Sequence, residues 1–260
     1  ELAGSKQGGL VEWQPQTANA RFQMRNVRAY YRADIENLES AFQLEGAIGS
    51  GELLTVALNT TNISAVLELS NTRSEATKVA VDIYRAEGGA PIFSRMYKLS
   101  PHATYHIIMD DILGGRTGVA TVKGATSESI IATAMHYRRT ENRGIKHMYG
   151  LGASQPLGSV LRGSYNTYLN QGCRLLLTNP TNTAESSTLS MKRFDGKEVL
   201  ASKTLQVPAH GLTDYDLCKE DVKNVYGVVT LHAQTPNSLL ATVLRTGEAE
   251  SYAFPTPVRE

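Results

Sequence analysis

Residues 118–138 read GVATVKGATSESIIATAMHYR, and 109 positions after Gly118 the chain opens GVVTLHAQTPNSLLATVL at Gly227. Over eighteen aligned positions Gly, Val, Thr, Thr, Ser, Ala and Thr are identical. Most other pairs exchange one apolar residue for another. A fainter copy, GLVEWQPQTAN, starts at Gly9 and shares Gly, Val, Gln-Thr and Asn with the copy at Gly227. Self-similarity at one period is the mark of repeated structural units. The chain therefore reads as two full repeats preceded by the closing part of a third.

The period inside each repeat is two. Lys78–Tyr84 sets Val79, Val81 and Ile83 against Lys78, Ala80 and Asp82. Ala65, Leu67 and Leu69 share one face and Glu68 and Ser70 the other. Such alternation makes half-buried strands rather than helices. Cys173, Leu175 and Leu177 retrace Ala65, Leu67 and Leu69, while Leu189 and Met191 retrace Val79 and Val81. Turn signals fall between the runs: Glu87-Gly88-Gly89, Pro101, Gly114-Gly115 and Asp195-Gly196. About seven strands per repeat with regular turns is the pattern of a β-sandwich. Ala33–Phe42 is the best helix candidate, with Ile35, Leu38 and Phe42 on one side. Pro255 and Pro257 mark Glu248–Glu260 as an irregular tail.

The expected organisation is all-β: a partial repeat and linker over 1–35, a sandwich over 36–144, and a second sandwich with its tail over 145–260. The 260 residues are enough for two cores of ordinary size. Lys and Arg number 26 against 25 Asp and Glu, so there is no electrostatic case for a nucleic-acid partner or an anionic membrane. No apolar run reaches the roughly 20 residues of a membrane helix. The opening ELAGSKQGG has no apolar core of a signal peptide. A chain beginning inside a repeat is expected to have lost its original N-terminus.

Tandem units of this strand order and turn spacing resemble the immunoglobulin-like or fibronectin-like sandwiches of extracytoplasmic bacterial proteins. The resemblance covers 35–246. The paired cysteines and buried Trp of antibody domains are missing, and the one Trp, Trp13, lies in the partial copy. The resemblance implies an extracytoplasmic surface, adhesive or spacer role and carries over no site residue.

Several residues are candidates for more. Asp214 and Asp216 share a strand face and, with Glu220 and Asp221, gather the hard oxygen ligands that Ca²⁺ takes. The plainer reading is a charged strand edge that resists aggregation. Tyr165, Tyr168, Tyr215 and Tyr226 could line a carbohydrate site if exposed; core burial is the commoner fate of tyrosine. Cys173 and Cys218 occur only in the last repeat, where one disulfide or two buried thiols would fit. His102 and His210 each follow a proline at matching places and read as turn residues. His136, Arg138, Arg139, Arg143, Lys146 and His147 form a basic stretch, interleaved with Tyr137 and Tyr149, that reads as a linker before it reads as a polyanion site. Asn59 and Asn62 open formal glycosylation triplets.

There is no phosphate loop, nucleophile elbow or paired-cysteine metal motif. The expectation is a non-catalytic secreted or surface module that spaces or binds, with no cofactor other than Ca²⁺ to consider. A carbohydrate-binding module is the alternative, and an accessory region of an extracellular hydrolase the second. The expected partners are a protein or glycan at a cell surface, or a second copy joined by strand addition at a sheet edge. That last idea follows from 1–35, because two closing strands cannot hide Val11, Trp13, Phe22 and Val27 alone.

Overall fold

Strict alternation decides which side chains go inside. In the strand Thr77–Arg85, Val79, Val81 and Ile83 are fully buried while Lys78 is exposed. The computed structural model describes residues 11, 16–17, 24–32, 37–141, 144–220, 224–247 and 253–259. Trp13, Phe22, Arg143 and Asp221, the copy at Gly9 apart from Val11, Gln16 and Thr17, and the side chain of Glu220 lie outside the described residues.

A hairpin of β1 (Arg25–Arg32) and β2 (Asn37–Glu45) comes first. The first sandwich holds β3 (Leu53–Asn59), β4 (Ser64–Asn71), β5 (Thr77–Arg85), β6 (Phe93–Leu99) and β7 (Thr104–Ile108). A helical turn α1 (Asp110–Leu113) leads to β8 (Thr117–Gly124), β9 (Ile130–Arg139) and β10 (Ile145–Gly152). The second sandwich holds β11 (Val160–Asn166), β12 (Gly172–Thr178), β13 (Glu185–Arg193), β14 (Glu198–Val207), β15 (Leu212–Asp216), β16 (Tyr226–Ala233), β17 (Leu240–Thr246) and β18 (Ala253–Val258).

The two units have the same topology. Sheets β3-β8-β5-β6 and β10-β9-β4-β7 in the first correspond to β11-β16-β13-β14 and β18-β17-β12-β15 in the second, all antiparallel. Register agrees as well as order, and it places Leu189 and Met191 where the first unit has Val81 and Ile83, two residues on from the sequence pairing with Val79 and Val81. Gly118 lies opposite Leu58 and Arg85, and Gly227 opposite Tyr165 and Arg193. Leu69 is opposite Tyr105 and Ala132, and Leu177 opposite Thr213 and Ala241. The repeated glycine has a steric reason. A Cβ at Gly118 would collide with the Tyr84 carbonyl oxygen, and one at Gly227 with the Lys192 carbonyl.

Leu67, Leu69, Val81, Val122 and Ile130 fill the first core, and Leu175, Leu177, Leu189, Met191 and Val243 the second. Each such side chain contributes about 1.5–3 kcal/mol by leaving water.

Three boundaries differ from the sequence reading. Residues 37–42 are strand, not helix: β2 alternates Phe42 and Leu44 onto a packed surface, and tertiary packing overrides a spacing that also fits a helix. Residues 253–258 are an edge strand, not an irregular tail. Pro255 and Pro257 sit on β18, which pairs on one side only, where a missing N–H does no harm. β10 pairs with β9, so residues 145–152 close the first sandwich rather than opening the second. Among the described residues no helix is long and apolar enough to cross a membrane.

Candidate functional site

The side chains that alternation sends outward are not all polar, and these exceptions build two joints. Leu175-Leu176-Leu177 is apolar on both faces. Leu175 and Leu177 fill the second core, whereas Leu176 points out with Leu212, Leu244 and Ala253 and joins the core of the first sandwich. There it meets the end formed by Ala57, Leu58, Tyr149 and Leu151. Backbone bonds seal the joint: Leu212 N–H donates to the Ala86 carbonyl at 2.9 Å, and Gly89 N–H to the Ala209 carbonyl at 3.3 Å. Gly88 has φ +76°, and a Cβ there would run into the Ala209 carbonyl.

His136 sits at the centre of this joint. Its ring stacks on Tyr149 with centroids 4.4 Å apart, and its Nε2 accepts the Asn59 N–H at 3.2 Å. The proton therefore resides on Nδ1. Burial pushes the His136 pKa down to about 3, so the ring is neutral. Beside it lies a cavity of about 50 Å³, bordered by Asn59, Thr117, Arg174 and Asp214. That volume suits a water molecule rather than a substrate.

The hairpin joint is built the same way. β1 and β2 do not add to an edge of either sandwich; they form a sheet of their own laid on the outer face of β10-β9-β4-β7. Phe42 packs against Met135 and Met148, with Leu44, Val66, Tyr137 and Ile145 around them. The Arg28 guanidinium donates to both oxygens of Glu68 at 2.8 and 2.7 Å. Glu68 also has His106 Nε2 at 3.5 Å. Tyr137 is pushed above the ordinary phenol range, first by burial and then by Tyr30.

The remaining candidates disperse. Arg174 Nε donates to Asp214 at 2.8 Å, and Asp216 accepts the Cys218 N–H at 3.0 Å. Among the described residues no group of three metal-ligating side chains forms. Tyr165 is buried and its hydroxyl finds no hydrogen-bond partner among the described residues. Tyr215 is half-buried beneath Lys203, whose Nζ lies 4.7 Å from the ring centroid. Tyr168 and Tyr226 are exposed and adjoin each other, and Phe194, which sequence reasoning did not single out, stacks on Tyr226 at 4.8 Å. Cys173 is buried and Cys218 half-buried, both as free thiols. Burial pushes the Cys173 thiol up to about 11. In the basic stretch His136 and His147 are buried, and Arg138 donates to the Asn62 carbonyl. Asn59 lines the joint, and Asn62 is exposed in a turn at φ +54°.

His102 and His210 have φ of +52° and +54°, which makes both of them turn residues in the left-handed region. His210 does more: it stacks on Tyr84 across the joint at 4.6 Å, and its Nε2 lies 2.6 Å from Asn182 Oδ1.

No protein-family model matches the chain, and no curated protein matches it. Among solved structures, similarity is found to a "putative secreted protein" of Parabacteroides distasonis ATCC 8503, at 10% identity and a TM-score of 0.21. The alignment covers 97% of this chain and 87% of that one. A superposition that loose carries neither fold nor function across.

Proposed function

We propose that this chain is a non-catalytic structural module of the cell exterior, a stiff spacer made of sandwiches stacked end onto face. The observation that carries the reading is the repeated joint. In each, a cross-strand pair on a closing hairpin, Arg28 with Phe42 or His136 with Tyr149, meets the outer face of the next sandwich. Domain interfaces are among the places where ligand pockets of several hundred Å³ preferentially form. Here the joint closes on leucines and main-chain bonds, leaving space for little more than water. A location outside the cytoplasm is part of the proposal, supported by the resemblance to tandem extracytoplasmic sandwiches.

The test of stiffness is ¹⁵N relaxation. One anisotropic tumbling time shared by both sandwiches is expected; two independent, shorter times would overturn the spacer reading. Antibody labelling of intact cells tests location, and signal only after permeabilisation would overturn it.

A second reading rests on Phe194, Tyr226 and Tyr168, exposed together at one end of the second sandwich. Aromatic faces of this kind can stack on sugar rings. A glycan array that scores positive, and loses its signal in Tyr226→Ala, would favour a carbohydrate-binding module.

A further inference from the structure

Matched residue for residue, the two sandwiches part company at one end. Thr60 and Thr167 are equivalent: the hydroxyl of each bonds both main-chain groups of one residue across the sheet, Arg116 for Thr60 and Val225 for Thr167. The next N–H donates to an asparagine side chain in both, from Thr61 to Asn59 and from Tyr168 to Asn166. Tyr168 therefore stands where the first sandwich has Thr61. By register Tyr226 stands for Thr117. Phe194, whose N–H donates to the Tyr226 carbonyl, stands for Ala86, whose N–H donates to that of Thr117. Two threonines and an alanine satisfy this fold, and the second sandwich replaces all three by rings. The core does not use them: Tyr168, Phe194 and Tyr226 are 42, 57 and 44% exposed. They gather instead, with Phe194 stacked on Tyr226 at 4.8 Å and Tyr168 5.9 Å from Tyr226, turned by 47°.

The small residues of the first sandwich serve a purpose that the rings would defeat. Ala86 lies in the joint: its carbonyl accepts the Leu212 N–H at 2.9 Å, and a Cβ at Gly211 would lie 2.6 Å from the same oxygen. A phenyl ring in that place holds a further sandwich off. This end is therefore not shaped to repeat the joint, and what the rings meet is smaller than a domain.

The surroundings say what fits. Leu169, 80% exposed, has φ +56° where the first sandwich has Asn62 at +54°. Asparagine tolerates that region and leucine is strained in it; such strain gathers at functional sites. Asn170 and Asn224 are exposed, two residues from Tyr168 and Tyr226. An amide both donates and accepts, so the rings carry a hydrogen-bonding rim. Apolar faces with a polar rim suit a pyranose, which has C–H bonds on its face and hydroxyls round its edge. Those C–H bonds meet the negative face of an aromatic ring. Acyl chains would leave the same amides without partners.

We propose that Tyr168, Phe194 and Tyr226 hold one hydrated polysaccharide chain by stacking on a pyranose unit. The three rings are not coplanar, so they cannot lie together on the flat face of a crystalline polysaccharide. This rests on the carbohydrate reading and deepens it by fixing the form of the ligand, a free chain rather than a crystal surface.

Native electrophoresis of the full chain through gels containing hydroxyethylcellulose, mixed-linkage β-glucan, galactomannan or xylan is the test. It is run beside depletion on microcrystalline cellulose and flotation with phosphatidylcholine–phosphatidylglycerol vesicles. The variant Tyr168→Thr/Phe194→Ala/Tyr226→Thr carries the first sandwich's own residues at these places. Phe194→Ala alone is the second variant, should the triple change disturb folding, which circular dichroism reports. At least one soluble polysaccharide is expected to retard the wild type, with binding at least about tenfold weaker in the triple variant. No retardation by any of the four, or retardation unchanged in both variants, overturns the inference. Ring-dependent binding to microcrystalline cellulose alone also overturns it and leaves the carbohydrate reading standing. Ring-dependent binding to vesicles without retardation overturns both in favour of a lipid surface.

Discussion

Asn71 and Asn179 perform the same task in the two sandwiches. Each is fully buried at the end of its strand and donates from Nδ2 to carbonyls on both sides of a turn. Asn71 reaches Glu75 at 2.8 Å and Ser100 at 2.9 Å, and Asn179 reaches Thr183 at 2.8 Å and Val207 at 3.3 Å. Each Oδ1 accepts an N–H two residues on, from Arg73 at 3.0 Å and from Thr181 at 2.8 Å. One side chain therefore satisfies several buried main-chain groups at once.

Replacing Asn179 by Ala strands those carbonyls without partners. The expected loss is about 2–3 kcal/mol for either Asn71→Ala or Asn179→Ala. Urea denaturation measures it. A loss below about 0.5 kcal/mol would mean water replaces the amide without cost.

Sandwich strands were legible because one face of each is apolar and the other polar: Val79, Val81 and Ile83 announce themselves against Lys78. The repeat was legible because Gly118 and Gly227 are required by close backbone approach. The joints were not, although a signal existed. Leu176 breaks the alternation of β12, and an apolar residue on the outer face means something covers it. Alternation within one strand cannot say what. Asn71 and Asn179 give no sign of their role in the sequence, because a buried amide in a turn has the same sequence signature as an exposed one. Pro255 and Pro257 misled because the rule against proline in strands lapses at an edge.

Stability should fall as the pH drops below about 6.5, and His136 supplies part of the slope. Its folded pKa is depressed to about 3 from an unfolded value of 6.5, so below 6.5 the unfolded chain takes up a proton that the folded chain refuses. The stability is full above 6.5 and is lost progressively down to about 3. His136→Phe retains a ring against Tyr149 but cannot titrate; it also leaves the Asn59 N–H unpaired. The variant should be less stable at pH 7 by about 1–3 kcal/mol, with a shallower fall between pH 6 and pH 4. Denaturation curves at several pH values decide; equal slopes in wild type and variant would remove His136 from the account.

The two thiols should differ in reach. Cys173 is fully buried with a pKa near 11, while Cys218 is half-buried and its Sγ lies 3.6 Å from the Gln171 carbonyl. A thiol reagent at pH 8 should modify Cys218 slowly and Cys173 only on unfolding, because the thiolate is the reactive form. In denaturant without reductant both should titrate as free. A count of zero would reveal a disulfide, which would restrain a loop spanning β13 to β15.

The two left-handed histidines allow a contrast within one molecule. A non-glycine residue at positive φ carries a strain of roughly 1–2 kcal/mol, which glycine relieves at some cost in unfolded-state entropy. His102 is exposed, so His102→Gly should stabilise the chain by about 0.5–1 kcal/mol. His210→Gly gains the same relief but loses the stack on Tyr84 and the bond to Asn182. Aromatic stacking and one hydrogen bond together outweigh the backbone gain, so a net loss of about 1 kcal/mol is expected. The loss should also show locally: amides of Ala86 and Leu212 on the two sides of the joint should exchange faster in His210→Gly and not in His102→Gly. If both glycine variants melt alike and protect the joint alike, His210 is only a turn residue, and the stack across to Tyr84 does nothing to hold the sandwiches together.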